Sequence, residues 1–169
     1  DAVMLSAETS VGEHPVLTVR IMNSIVRRAE QQINPMHRMR KEDIPGLAKD
    51  DLAIIVSRAA CSIAEDTNAS AIFAITKSGR TARLLSKYRI QTPIYAFTGS
   101  RTVVRELALV WGVNGALVEG MTDTDTSLKM VTDFSLESGF SRKGDKVVFV
   151  AGIPLLQANR VNMIKVEEL

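Results

Sequence analysis

Four short apolar runs, Ala71–Ile75, Ile94–Phe97, Val113–Val118 and Val147–Ala151, alternate with segments of helical character at Ala82–Tyr88, Thr102–Leu109 and Thr126–Ser138. Short runs of this kind, interrupted by a polar residue only at Asn114, are strands buried on both faces. The helical segments between them are long enough for right-handed crossovers, so the pattern predicts a mostly parallel sheet with helices on both faces, a three-layer α/β fold. The segment Asn162–Glu167 alternates apolar and polar residues, as an edge strand does, and follows its predecessor without room for a crossover helix. It is therefore expected to be antiparallel, the fifth strand of the sheet. Ahead of the first run, a helix opening at Lys49 or Asp50 and reaching about Asp66 carries an apolar face of Leu52, Ile55, Val56, Ala59 and Ile63.

The first third of the chain reads differently. Asp1-Ala2-Val3-Met4-Leu5 is a short buried-strand pattern with no turn before it. Pro15 suits a first helical position, and Val16, Val19, Met22, Val26, Ala29 and Ile33 recur at three- and four-residue steps behind it. This is a lone βα unit, expected over residues 1–33, whose strand has no sheet partner nearby. Residues 34–46 are polar, basic and bracketed by Pro35 and Pro45, the composition of an exposed linker. The α/β domain is expected over 47–169, and the chain reads as the middle of a longer protein.

Composition narrows the function. A net charge of +2, evenly spread basic residues and only 5% aromatic residues argue against a nucleic-acid groove. No apolar run approaches a membrane span and no signal-peptide pattern is visible, so the expectation is a cytoplasmic protein that does not engage membranes. Cys61 is the single cysteine and lies in a run expected to be core. Neither His14 nor His37 has a second ligand at metal spacing, so no metal site is expected.

One segment gathers chemistry. Thr76-Lys77-Ser78-Gly79-Arg80-Thr81 follows the first apolar run and opens a helix, bringing three hydroxyls, two cations, a glycine and the free N–H groups of a helix start to one place. A phosphate group would satisfy all of them, and so, more plainly, would an ordinary βα turn capped by Ser78 or Thr81. In doubly wound sheets ligands lie beyond the carboxyl ends of strands where the winding reverses, which also singles out the loops at Thr98–Thr102, Glu119–Thr126 and Gly152–Asn162. Thr98-Gly99-Ser100-Arg101 reads equally as a small anion cradle or as a helix start capped by Ser100. Thr122-Asp123-Thr124-Asp125-Thr126 has the composition of a helix cap, and Trp111 that of a packing residue.

Three patterns, Val3-Met4-Leu5-Ser6-Ala7-Glu8-Thr9, Thr76-Lys77-Ser78-Gly79-Arg80-Thr81, and the ending from Lys143-Gly144-Asp145 to Asn162-Met163-Ile164-Lys165-Val166, together resemble the carboxyl-terminal portion of pyruvate kinase, collinearly over essentially the whole chain. The resemblance implies that residues 1–33 are the last βα unit of a (β/α)8 barrel and that the remainder is a separate regulatory α/β domain. It implies phosphoryl transfer from phosphoenolpyruvate to ADP in the full-length enzyme, with Mg²⁺ and K⁺, by a catalytic lysine and metal-holding carboxylates on earlier barrel strands. Of that machinery only the barrel remnant Ser6, Glu8 and Thr9 falls in this chain, so no cofactor is expected on it and the chain alone is expected to be inactive. Ala7 stands where the family often has Gly.

The resemblance further implies that Thr76–Thr81 holds a phosphate of an allosteric effector, with Lys77 and Arg80 as charge partners. A closing loop containing Gly152, Asn159 and Arg160 would lie beside it, because the family's sheet order sets the first strand next to the fourth. Members activated by a sugar bisphosphate often carry a Gly-rich closing loop and a Trp and an Arg in the segment matching Glu119–Lys129, and this chain has neither Trp nor Arg there. A sugar monophosphate or a nucleotide is thus as good an expected effector as fructose 1,6-bisphosphate. The expected partners are that effector, the chain's own catalytic barrel and, at full length, a homotetramer. Two other readings stand beside this one: a tetramerisation module without ligand, pairing through Asn162–Glu167, and a stand-alone sugar-phosphate enzyme. No G-x-G-x-x-G follows any strand, which disfavours a dinucleotide site.

Overall fold

A computed structural model describes residues 1–32, 51–155 and 161–169. Contacts divide the chain into two compact units, residues 1–34 and 35–169. The expected linker, 34–46, lies outside the described residues.

In the first unit, α1 (Ala7–Ser10) is a single turn and α2 (Pro15–Glu30) carries Pro15 in its first turn, where a missing N–H costs nothing. The strand expected at Asp1–Leu5 does not form. Residues 1–6 have no ladder partner, and Val3 and Met4 are exposed, because a strand exists only as half of a pair. Of the periodic apolar residues of α2, Val16 and Val19 are more than half exposed and Met22 and Val26 half-buried within this unit, and Ile21 and Ile25, off that repeat, are more than half exposed as well.

The second unit is built as the alternation demands: α3 (Leu52–Asp66), β1 (Ala71–Ile75), α4 (Arg80–Ser86), β2 (Ile94–Thr98), α5 (Arg101–Leu107), β3 (Val113–Leu117), α6 (Thr124–Glu137), β4 (Lys146–Ala151) and β5 (Met163–Glu168). The sheet order is β3-β2-β1-β4-β5. The first four strands are parallel, and β5 runs antiparallel to β4 from Lys146 opposite Glu168 to Ala151 opposite Met163. Winding goes outward from β1 to β3, then returns across the sheet to β4, so right-handed crossovers put α4 and α5 on one face and α6 on the other. Residues at the even positions Ile72, Ala74, Ile94, Val148 and Val150 face α3, α4 and α5, while Phe73, Phe97, Val147 and Phe149 face α6. Phe73 sits edge-to-face against Tyr95, Phe97 and Phe149, with ring centroids 5.2–6.1 Å apart.

Helix α3 departs from expectation at both its start and its face. Its N-cap is Asp51, whose carboxylate accepts the Ala53 N–H at 2.9 Å. Its buried face is Ala53, Ser57, Ala60, Cys61 and Ala64, flanked by half-buried Ile54, Val56 and Ile63. Leu52 and Ile55, expected inward, are 48% and 43% exposed. Small residues let this helix approach the sheet closely, and its bulkier side chains are turned aside. Cys61 is fully buried, with its thiol 3.9 Å from the Leu85 carbonyl. Trp111 lies in the turn before β3, half-buried beneath the Arg89 guanidinium, which stands 5.0 Å from the ring centroid.

Candidate functional site

The order reversal falls between β1 and β4, and the polar turn 76–81 leaves the carboxyl end of β1 at that point. Thr76 extends the ladder by donating its N–H to the Phe97 carbonyl at 3.0 Å, then turns its buried hydroxyl back to accept the Gly79 N–H at 3.0 Å. That bond folds the turn, as a side-chain acceptor three residues back does in many polar turns. Gly79 has φ +77°, the left-handed region, and is the cap residue of α4. A Cβ there would come within 2.7 Å of Nη1 at the end of the Arg83 side chain and 3.2 Å of Leu107 and Val103, so those side chains would have to shift, and the left-handed conformation holds the position to glycine.

Among the described residues, the N–H groups of Lys77, Ser78, Thr81 and Ala82 meet no backbone or side-chain acceptor. Of these four residues Lys77 and Ser78 are exposed, whereas Thr81 is nearly and Ala82 fully buried. Such a nest of amides attracts a compact anion.

The cations are arranged less simply than the sequence suggests. Arg80 forms an ion pair with the carboxylate of Asp51, the residue that caps α3. Arg83, which sequence reasoning passed over, donates from Nη1 to the Ser78 carbonyl at 2.9 Å and from Nη2 to Glu106 at 2.8 Å. It braces the turn from beneath. Lys77 is exposed and forms no ion pair among the described residues. Nothing near Ser78 in sequence signals the Asp51 or Glu106 contacts, which arrive from helices 29 and 23 residues from their arginine partners.

Of the proposed closing loop, Gly152 follows β4 directly beside β1, whereas Asn159 and Arg160 lie outside the described residues. The loop's near end is held by Asn162, which was not singled out in sequence: its Oδ1 accepts the Ile153 N–H at 2.7 Å and its Nδ2 donates to the Ile153 carbonyl at 3.0 Å. The other candidate loops resolve as caps. Ser100 accepts the Val103 N–H at 3.4 Å and Thr98 accepts the Ser100 N–H at 3.3 Å, while Asp123 accepts the Thr126 N–H at 3.0 Å. In the first unit, Ser6, Glu8 and Thr9 bond mainly to one another. The Ser6 N–H donates to Glu8 at 2.9 Å and the Thr9 hydroxyl to the Ser6 carbonyl at 3.2 Å. Bonds from the Glu8 and Ser6 amides hold the Glu8 carboxyl below the usual carboxylate range.

Among the described residues no group of three or more His, Cys, Asp or Glu is placed to hold a metal ion, and no helix is long and apolar enough to cross a membrane.

The family described as "Pyruvate kinase, alpha/beta domain" matches residues 55–167. The chain belongs to the pyruvate kinase family. It is 38% identical to the pyruvate kinase of Clostridium acetobutylicum over 99% of this chain and 35% of that protein. It is 42% identical to pyruvate kinase 2 of Synechocystis sp., again over 99% of this chain but 27% of the relative. Its fold superimposes on the crystal structure of a pyruvate kinase from Cryptosporidium parvum with a TM-score of 0.82 and 27% identity, covering 98% of this chain and 32% of that one. The chain thus spans 27–35% of the length of these pyruvate kinases, and the sheet with its antiparallel last strand is the carboxyl-terminal domain of that family.

Proposed function

We propose that this chain is the effector-binding part of a pyruvate kinase, and that the turn Thr76–Thr81 holds a phosphate group of a small phosphorylated effector, a sugar phosphate or a nucleotide. The reading is carried by one observation: among the described residues, the amides of exposed Lys77 and Ser78 meet no acceptor, in the turn that leaves β1 at the β1–β4 order reversal. Lys77, which is exposed and forms no ion pair among the described residues, supplies a positive charge. A hydrogen bond to a charged phosphate oxygen is worth about 1.5–3 kcal/mol, so a few of them support micromolar binding after the entropy of association is subtracted.

Calorimetric titration of the chain with fructose 1,6-bisphosphate, glucose 6-phosphate and AMP tests the proposal. Saturable binding of at least one, lost when Ser78 and Thr81 are both replaced by Ala, is the expected result. Equal affinity in the double variant, or no binding of any of the three, would overturn it. In this reading the full-length protein, a cytoplasmic enzyme, carries out phosphoryl transfer from phosphoenolpyruvate to ADP with Mg²⁺ and K⁺, while the residues of this chain contribute regulation.

A role in assembly is favoured by a second observation. Among the described residues β5 is an edge strand paired with β4 alone, and its Lys165 and Glu167 form an ion pair at 2.8 Å. An open antiparallel edge of this kind is able to pair with its own copy across a twofold axis.

A further inference from the structure

Among the described residues the sheet has a second open edge. β3 stands last in the strand order, parallel to β2, and the bonds at the two ends of its ladder fix how its backbone alternates. The Ile94 N–H meets the Gly112 carbonyl and the Val118 N–H meets the Thr98 carbonyl, so the amides and carbonyls of Asn114 and Ala116 face β2. Those of Gly115 and Leu117 face away from it and meet no partner among the described residues. A groove of about 510 Å³ runs beside this edge, with Val113, Asn114 and Gly115 as its floor. Val104 and Ala108, on α5 and just past its end, line one wall, and Phe140 stacked on Tyr95 with ring centroids 4.3 Å apart lines the other. At Gly115 the helix comes so near that a Cβ would lie 3.2 Å from the Val104 carbonyl oxygen. Helical spacing sets exposed Arg101 and Arg105 beside Val104 and Ala108, and neither forms an ion pair among the described residues. Glu106, the acidic residue of this helix, is turned to Arg83.

We propose that the β3 edge is a docking groove for an extended segment of a partner protein in which acidic and apolar residues alternate. An extended chain offers an N–H and a C=O to one side at every second residue, about 6.6–6.8 Å apart, the repeat at which Gly115 and Leu117 present theirs. Its side chains fall by turns toward the two walls. Those on the α5 side cross Val104 and Ala108 and end at Arg101 and Arg105, which calls for glutamate, a carboxylate on a short apolar stem. Those on the other side meet Phe140 and Tyr95, which calls for branched apolar residues. Main-chain bonds then supply affinity and the alternation supplies specificity. A second copy of this chain fits worse, since pairing across a twofold axis brings Arg101 and Arg105 toward the same cations of the other copy. At β5 the one lysine, Lys165, is already balanced by Glu167. None of the groove's residues belongs to the 76–81 turn, so the two sites stand or fall separately.

The probe is a capped hexapeptide alternating glutamate and valine, titrated calorimetrically into the 169-residue chain, with a lysine and valine hexapeptide as control. Saturable binding of the acidic peptide is expected, about fivefold or more tighter than that of the basic one. Bound peptide should slow hydrogen exchange at the Gly115 and Leu117 amides and leave those of Asn114 and Ala116, which face β2, unchanged. Ala108→Trp fills the groove from an exposed position and is expected to abolish binding. Replacing Arg101 and Arg105 together by Glu should weaken the acidic peptide about three- to tenfold, the span of two exposed ion pairs, and strengthen the basic one. No saturable binding of the acidic peptide, equal affinity in Ala108→Trp, or protection on β5 in place of β3 would overturn the proposal. A wild-type chain that sediments as a dimer, with Ala108→Trp a monomer, would overturn it too, in favour of a second copy at this edge.

Discussion

Gly79 shows how much one residue can decide. Its φ of +77° costs an L-residue about 1–2 kcal/mol, and an added methyl would press on Arg83, the brace of the Ser78 carbonyl. Gly79→Ala is expected to lower the unfolding free energy by about 1–3 kcal/mol in urea titrations. It should also weaken phosphate binding, since Ser78 loses its support. Cys61 makes the opposite case, a reactive group silenced by its setting: burial, with Glu65 nearby, pushes the thiol well above its ordinary range. A thiol reagent at pH 8 is expected to leave the folded chain unmodified and to label it fully in urea; rapid labelling of the folded chain would contradict the burial. Both residues were legible in the sequence, Gly79 because a glycine between a strand and a helix announces a turn, Cys61 because its neighbours are apolar. Asp51 and Glu106 were not, because ion pairs between separate helices leave no local pattern.

Among the elements, strand limits were readable to within a residue or so, since continuous apolar runs end where the chain leaves the sheet. Two elements were misread for one reason, that periodicity reports which residues are apolar and not what covers them. The Asp1–Leu5 run forms no strand without a partner, and α3 buries its alanines in place of Leu52 and Ile55. The tight seat of α3 predicts that Ala60→Leu, at a fully buried position, destabilises by about 1–3 kcal/mol through overpacking, measured as a fall in the urea midpoint. At the start of α6, bonds from the Thr126 amide and then the Thr126 hydroxyl hold Asp123 below the ordinary carboxylate range. A depressed folded value means that the charged cap stabilises above the unfolded pKa of about 3.9 and ceases to do so as pH falls through the lower folded value. The melting-temperature gap between wild type and Asp123→Asn is therefore expected to be constant near neutrality and to shrink below about pH 4.

For the molecule as a whole, alternation of runs and helices determined the class, and the resemblance supplied the strand order that periodicity cannot give. Incubated with phosphoenolpyruvate, ADP, Mg²⁺ and K⁺, the chain is expected to form no pyruvate above background in a coupled assay. The pieces of barrel chemistry it holds, Ser6, Glu8 and Thr9, are exposed or half-exposed and bonded mainly among themselves. Strand order also governs how the domain comes into being. β1 has its later neighbour, β4, more than seventy residues downstream, so during synthesis one flank of the central strand waits bare until Lys146–Ala151 emerges. A ribosomal product halted before Lys146 would carry Ala71–Ile75 as an open apolar edge, and such truncations should be found in aggregates or bound to chaperones even though every residue of the 76–81 turn is already present in them.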